Sequence, residues 1–180
     1  MKNYLSILLI VMLSNIAHSD EFFDLQMKLA KQGDMEAQSF LGFMYDTGDR
    51  VPENNKAAVL WYTKAAEQGD TLAQASLGVM YDNGDGVPEN DKTAVMWYTK
   101  AAKQGYAPIQ SILGVMYDNG EGVQENDIKA HVWYSISETN GSEEGKNNLK
   151  ILEPQMTNDQ IVKAQKLATK CYESNYKECD

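Results

Sequence analysis

Apolar side chains recur at helical spacing along this chain, and the same positions return every 36 residues. Between residues 35 and 45, Ala37, Leu41, Met44 and Tyr45 follow the 3.6-residue period of an amphipathic helix. The other apolar runs have helical spacing as well, and polar residues separate them. The pattern therefore predicts an all-α protein.

The recurring positions carry the same residue types in three successive segments. They are Gly33, Gly69, Gly105 and Gly141; Leu41, Leu77 and Leu113; Gly42, Gly78 and Gly114; Tyr45, Tyr81 and Tyr117; Trp61, Trp97 and Trp133; and Tyr62, Tyr98 and Tyr134. A period of this length indicates small units that stack to share a core. The predicted fold class is an α/α superhelical solenoid of helix-loop-helix repeats. Such arrays usually bind other macromolecules along an extended surface.

Each repeat is predicted to be a helix, a polar loop and a second helix. In the first repeat, Gly48 permits the positive φ of a helix end, and Pro52 fixes φ before the second helix. Either Asn54 or Asn55 is expected to cap that helix, which ends at Gly69. The predicted boundaries are a signal peptide over 1–19, a capping half-repeat over 20–33, repeats over 34–69, 70–105 and 106–141, and a degenerate repeat with a C-terminal capping helix over 142–180.

The region after the third repeat departs from the pattern. Leu149 alone keeps the register of Leu113, and Pro154 interrupts the chain. Thr157 followed by Gln160 predicts a capping box at the start of a last helix. We expect this helix to close the C-terminal end of the array.

The chain has two cysteines, Cys171 and Cys179, both near its end. An even pair in an exported protein favours a disulfide, which would contribute about 2.5 kcal/mol in the chain-entropy model. Two free thiols, or pairing with another chain, are the alternatives.

The first 19 residues are expected to be a cleavable secretory signal peptide. Lys2 supplies a positive charge, residues 4–13 form an apolar run, and Ala17 and Ser19 are small residues just before a cleavage site at Asp20. The apolar run is too short for a permanent membrane-spanning helix, although an uncleaved N-terminal anchor is the alternative. We therefore expect a periplasmic or secreted protein with no integral membrane segment after cleavage.

The chain is acidic, with 16 lysines and arginines against 26 aspartates and glutamates and a formal net charge of −10. An acidic surface repels the phosphate backbone, which argues against nucleic acid as a partner. After residue 19, no segment has the pattern of a basic amphipathic helix that lies on a membrane.

Candidate catalytic and metal-binding residues are few. His131, the one histidine after residue 19, occupies the position of Val59 and Val95. This position favours a packing residue near a helix surface over a catalytic base. The loop over 82–86 does not match a calcium-binding EF-hand, because glycines fill two of the ligand positions. We expect no catalytic residue, no metal and no cofactor.

The repeat resembles a known family. Its signature in the first repeat is Ala37, Gln38, Leu41, Gly42, Tyr45, Gly48, Val51, Pro52, Ala58, Trp61, Tyr62, Lys64, Ala65, Ala66, Gln68 and Gly69. This order is similar to the Sel-1-like repeat (SLR), a relative of the tetratricopeptide repeat. The resemblance covers 22–141 closely and the terminal helix more loosely. The third repeat departs from it at Ile109, Gln124, Ser137 and Glu138, which puts the outer packing of its second helix in question. The resemblance implies a superhelical adaptor, which in bacteria often acts at the envelope or the host interface.

Some cysteine-rich relatives of this repeat carry a penicillin-binding or β-lactamase label. Serine enzymes of that type use a Ser-x-x-Lys pair with Ser-Asp-Asn and Lys-Thr-Gly elements. This chain has one Ser-x-x-Lys match, Ser174 with Lys177, and neither of the other elements. We therefore expect no enzymatic activity, with a β-lactam-binding or weak β-lactamase-like envelope hydrolase as the alternative.

A stripe of first-helix positions is predicted to be left over from packing. The stripe consists of Glu36, Ser39, Phe43 and Asp46 in the first repeat, Leu72, Ala75, Val79 and Asp82 in the second, and Pro108, Ser111, Val115 and Asp118 in the third. First helices line the concave side of repeat solenoids of this type, so these residues are predicted to form a partner-binding groove.

The chemistry of this groove indicates the kind of partner. Its middle row is apolar and its edge is acidic, which suits an unknown protein or peptide with basic and hydrophobic side chains. In the alternative, the apolar row packs between adjacent first helices, and the aspartates cap the turns that follow them.

Overall fold

The computed structural model describes residues 21–179, and this part of the chain is all-α, with no strand. Helix α1 occupies 21–31. The later helices are α2 (Met35–Thr47), α3 (Asn55–Gln68), α4 (Thr71–Asn83), α5 (Asp91–Ala102), α6 (Ala107–Asn119), α7 (Asp127–Thr139), α8 (Glu143–Leu152) and α9 (Asn158–Glu173), with a short 3-10 helix (Glu153–Gln155) after α8. The predicted all-α fold class of helix-loop-helix repeats is thereby confirmed. The expected signal peptide lies outside the described residues.

The chain divides into two compact units after Asp70. In the first unit, Ala30 of α1, Leu41 and Met44 of α2 and Trp61 of α3 form a small core. The second unit, α4 to α9, has one continuous core to which all six helices contribute. Each unit therefore buries its apolar face by stacking helices in sequence order, as expected of a repeat array.

The two helices of each repeat approach closely at one glycine. A Cβ atom on that glycine would overlap the ring of a buried tyrosine on the second helix. The pairs are Gly42 with Tyr62, Gly78 with Tyr98 and Gly114 with Tyr134. Steric fit of tyrosine against glycine thus explains why both residue types recur in register.

An asparagine closes the loop of each repeat. The side chain of Asn90 accepts a hydrogen bond from the backbone N–H of Thr93 at 3.0 Å, which caps α5. The backbone N–H of Asn90 donates to the carbonyl of Tyr81 near the end of α4, at 2.7 Å. Asn54 and Asn126 make the same two bonds in their own repeats. Of the two candidate caps for α3, Asn54 is therefore the cap.

A buried glutamine bridges successive helices. The amide of Gln110 donates to the carbonyl of Ala102 at 3.0 Å and accepts from the amide of Asn140 at 2.8 Å. In the first unit, Gln38 makes the equivalent bonds to Ala30 and Gln68. The NH2 group and the oxygen of this buried side-chain amide both have partners. The glutamine therefore fixes the helix positions at no cost of an unpaired polar group.

Helix α8 keeps part of the register of the first helices of the repeats. Its buried residues are Gly145, Leu149 and Leu152, which are in register with Ile109, Leu113 and Met116 of α6. The expectation that Leu149 alone keeps the register is therefore wrong. Glycine replaces the alanine of the first two repeats at this position because a Cβ there would lie 2.8 Å from the carbonyl oxygen of Tyr134.

Helix α9 packs on the outer face of α7, which explains two apolar residues of the third repeat. Val132 and Ile136 of α7 are each 1% exposed. The first two repeats have the exposed residues Leu60 and Met96 at the position of Val132, and lysines at the position of Ile136. Apolar residues replace them because α9 covers this face. The outer packing that the sequence left in question is thus supplied by the C-terminal helix.

The expected disulfide between Cys171 and Cys179 is present, and both residues are buried. It closes a loop in which Tyr176 donates its hydroxyl hydrogen to the side-chain oxygen of Asn140 at 3.0 Å. The predicted capping box of α9 is also present, with Thr157 and Gln160 bonded reciprocally. The C-terminal cap is therefore held to the third repeat by packing and by a hydrogen bond from the loop that the disulfide closes.

Candidate functional site

In the first unit, the predicted groove positions on α2 lie partly at the surface. Phe43 is 47% exposed and Glu36 is exposed, whereas Asp46 is half-buried. The hydroxyl of Ser39 donates to the carboxylate of Asp70 at 2.9 Å. Phe43 is thus the large apolar side chain that this stripe offers to solvent.

In the second unit, the predicted positions separate into exposed and buried residues. On α4, Leu72 is 58% and Val79 is 40% exposed, whereas Ala75 is buried. On α6, Pro108 is exposed, Val115 is half-buried against the core, and Ser111 is fully buried. Ala75 and Ser111 therefore belong to the packing of the repeats and offer no surface to a partner. The exposed apolar surface of the stripe in this unit lies on α4.

The aspartates at the edge of the stripe are hydrogen-bonded within their own repeats. In each case the hydroxyl of the second-helix tyrosine donates to the carboxylate at 3.3–3.4 Å. The pairs are Tyr62 with Asp46, Tyr98 with Asp82, and Tyr134 with Asp118. Each carboxylate is half-buried, so it keeps part of its surface for solvent.

Burial and neighbouring charges change the acidity of these pairs. Partial burial raises the pKa of Asp82, the bond from Tyr98 lowers it, and repulsion from Asp91, Glu121 and Glu89 raises it further, with a net increase. Burial and the adjacent carboxylate both raise the pKa of Tyr98. The tyrosine thus stays a neutral donor to a carboxylate in an acidic environment.

A second polar cluster was not predicted from the sequence. His131 of α7 is 1% exposed, and its Nε2 atom lies 3.1 Å from Oε1 of Glu153. The Nδ1 atom lies 3.1 Å from Oγ of Ser135 on the same helix. His131 thus occupies a packing position, but it is buried and its ring contacts Glu153 of the 3-10 helix. A histidine where the earlier repeats have valine could have indicated this cluster. Its partner Glu153 could not be identified, because it is 22 residues away in the sequence.

The serine of the Ser-x-x-Lys match is hydrogen-bonded to the backbone around it. The hydroxyl of Ser174 donates to the carbonyl of Cys171 at 2.8 Å and accepts from the backbone N–H of Glu178 at 3.0 Å, so it stabilises the end of α9. Between residues 21 and 179, no group of three or more histidine, cysteine, aspartate or glutamate side chains is arranged to hold a metal ion. In the same part of the chain, no helix is both long and apolar enough to cross a membrane.

These features define an all-α helical-repeat protein, in which paired helices meet at a glycine and a tyrosine. The Sel1 repeat model matches residues 36–70, 71–106 and 110–142, which is more than half of the chain. The chain belongs to the Sel1 repeat family, which confirms the resemblance found in its sequence. Proteins of this family are generally non-catalytic scaffolds for protein–protein interaction.

Solved structures support this assignment. The chain is 36% identical to a Sel1 repeat protein from Oxalobacter formigenes, with 69% of this chain and 94% of that chain covered and a TM-score of 0.64. It is 30% identical to a protective antigen of uropathogenic Escherichia coli with the SLR fold, with 86% of this chain and 41% of that chain covered and a TM-score of 0.53.

The cysteine-rich protein B of Helicobacter pylori shares the fold at 21% identity, with 75% of this chain and 95% of that chain covered and a TM-score of 0.57. The comparison with curated proteins found no match.

Proposed function

We propose that this protein is an exported scaffold that binds a protein or peptide through the exposed apolar residues of its first helices. The observation that carries the proposal is the exposure of Leu72 and Val79 on α4, next to the half-buried carboxylate of Asp82. In the first unit, Phe43 and Asp46 on α2 repeat the combination of an exposed apolar residue and a carboxylate.

The spacing of these residues makes one binding strip in the second unit. Leu72 and Val79 are seven residues apart, so they lie on the same side of α4, and Asp82 follows three residues later. When a partner covers large apolar side chains that are about half exposed, the binding free energy becomes more favourable. The carboxylate contributes mainly to specificity, because it attracts a basic side chain and repels an acidic one.

The matching partner is an amphipathic segment that carries apolar and basic side chains. An α-helix of that kind places its anchor residues every three or four positions, which matches a strip of this length. The net charge of −10 adds long-range attraction for a basic partner and increases its association rate at low salt. Binding should therefore weaken as the salt concentration rises.

The test uses synthetic helical peptides with leucine on one face and lysine on the other, and a control set in which glutamate replaces lysine. We expect binding of the lysine set alone, and a loss of about tenfold or more in affinity in Leu72→Ala combined with Val79→Ala. Met96→Ala is the matched control, because Met96 is 45% exposed but lies on the second helix of the same repeat. Equal affinity of all variants, or of both peptide sets, would contradict the proposed surface.

The proposal of export to the periplasm or beyond the cell is supported by two observations. Cys171 and Cys179 form a disulfide, and such bonds persist mainly in oxidising compartments. A structural relative, 30% identical, is described as a protective antigen. Fractionation of cells followed by N-terminal sequencing tests the idea. A mature chain that starts at Asp20 in an envelope or culture fraction is expected, and a chain that starts at Met1 in the cytoplasm would contradict it.

A further inference from the structure

The third repeat contains a hydrogen-bonded serine, histidine and glutamate that the other repeats lack. At the two positions on α7, Ser135 and His131 replace the threonine and valine of the earlier repeats. In the first repeat, the hydroxyl of Thr63 donates to the carbonyl of Val59 at 2.7 Å. Ser135 instead contacts an imidazole nitrogen, so its hydroxyl has a basic partner and not a backbone carbonyl.

The partners of the imidazole determine which nitrogen carries the proton. The carboxylate of Glu153 only accepts, so the Nε2 atom of His131 donates to it across 3.1 Å. The Nδ1 atom of a neutral ring is then an acceptor, and the hydroxyl of Ser135 donates to it across 3.1 Å. This order of serine, histidine and carboxylate is the one by which hydrolases activate a nucleophile.

An open cavity adjoins the serine. It has a volume of about 300 Å³ and lies between α7 and α9, within the second unit. Its lining includes Ser135, Ile136, Gln165, Ala168 and Tyr172. His131 is 1% exposed and lies behind Ser135, which is half-buried and is one of the residues that line the cavity. An acyl group in the cavity would lie next to Ser135.

We propose that Ser135, His131 and Glu153 form a hydrolytic site for esters of short acyl chains. The small cavity and its apolar Ile136 and Ala168 fit an acyl chain of a few carbons better than a peptide. Ser135 is the nucleophile, His131 is the general base, and Glu153 is a positioning residue. This site is separate from the first-helix surface, so neither proposal depends on the other.

The reaction proceeds in two balanced steps. Oγ of Ser135 attacks the ester carbonyl carbon while its proton moves to Nδ1 of His131. The bond from that carbon to the leaving oxygen breaks, and this oxygen takes the proton from Nδ1, which gives an alcohol and an acylated Ser135. Water then attacks the acyl carbon and gives a proton to Nδ1. The bond to Oγ breaks, Oγ recovers the proton, and a carboxylic acid leaves.

The first experiment measures hydrolysis of p-nitrophenyl butyrate by the purified full chain. We expect kcat/KM to fall about 100-fold or more in Ser135→Ala and in His131→Val, as for loss of a nucleophile or a general base. Valine occupies the equivalent position in the other repeats, so His131→Val is expected to keep its fold, which circular dichroism checks. Thr63→Ala is the matched control for a hydroxyl at the same repeat position, and Ser174→Ala tests the Ser-x-x-Lys alternative. Both should retain the wild-type rate.

Two further measurements separate catalysis from a structural role. Glu153→Gln should lower kcat with little change in KM, and Glu153→Asp should restore part of it, because only a carboxylate stabilises the charged imidazole. A fluorophosphonate probe should label Ser135, as located by mass spectrometry, and should not label Ser135→Ala or His131→Val. Wild-type hydrolysis equal to that of Ser135→Ala, or labelling at another serine, would overturn the proposal.

Discussion

The ring of Tyr98 lies against the backbone of Gly78, so closely that a Cβ atom on this glycine would overlap it. The hydroxyl of the same tyrosine donates to Asp82 at the end of the same helix, at 3.3 Å. One side chain of the second helix therefore fixes both the separation of the two helices and their relative position along their axes. The first and third repeats use the same arrangement.

Gly78→Ala should destabilise the second unit although alanine is the better helix former. Helix propensity favours alanine by about 1 kcal/mol, but overpacking against a buried ring costs about 1–3 kcal/mol or more. We expect a lower midpoint in urea unfolding. The penalty should shrink in a Tyr98→Ala background, where the ring is missing. A variant as stable as the wild type in both backgrounds would contradict the steric account.

Gln110→Leu should lower the free energy of unfolding by about 1–3 kcal/mol, although leucine suits a buried position. The amide of Asn140 would lose its acceptor, and the bond from Gln110 to Ala102 would be lost. Gln124→Leu serves as the control because Gln124 is exposed, and it should change stability little. The comparison is made by urea unfolding, and equal effects of the two variants would show that the buried bonds contribute nothing net.

Replacing Cys171 and Cys179 by serine should lower the melting temperature. The chain-entropy model gives about 2.5 kcal/mol for a loop this short, which corresponds to about 5–10 °C in a domain of this size. Thiol titration of the unfolded, unreduced wild type should find no free thiol. The loop also holds Tyr176 on Asn140, so hydrogen exchange should increase near both residues in the variant. An unchanged melting temperature would contradict this prediction.

The stability of the chain should respond to Asp82 at acidic pH. Its pKa in the folded chain is raised above the ordinary 3.8, so the folded state binds this proton more tightly than the unfolded state. Lowering the pH through the raised pKa therefore adds stability through this group, and the gain is complete below 3.8. At neutral pH, the ionised carboxylate of Asp82 thus lowers the stability of the folded chain.

Asp82→Asn provides the measurement. At neutral pH this variant should be at least as stable as the wild type, because it keeps an oxygen that accepts from Tyr98 and removes the repulsion from Asp91, Glu121 and Glu89. The difference in unfolding free energy should become smaller as the pH falls. A difference that grows as the pH falls would show that the pKa of Asp82 is lowered in the folded chain.

The amino-acid sequence by itself determined the repeat, the helices and the type of packing. The period of 36 residues and the recurring glycines and tyrosines express contacts inside one repeat, where the partners are close in the sequence. The capping box and the disulfide are local as well, and both were predicted. These features depend on backbone conformation and short-range packing, which the order of residues specifies directly.

The tertiary structure decided what lies between repeats and at the C-terminal end. The sequence could not show that α9 covers α7, because no period relates the two helices, and this packing places Val132 and Ile136 inside. It also could not show that Ala75 and Ser111 are buried while Leu72 and Val79 stay exposed, since burial depends on the packing between helices. The contact of His131 with Glu153 arises in the same way, from residues that meet only when the terminal helices fold back onto the third repeat.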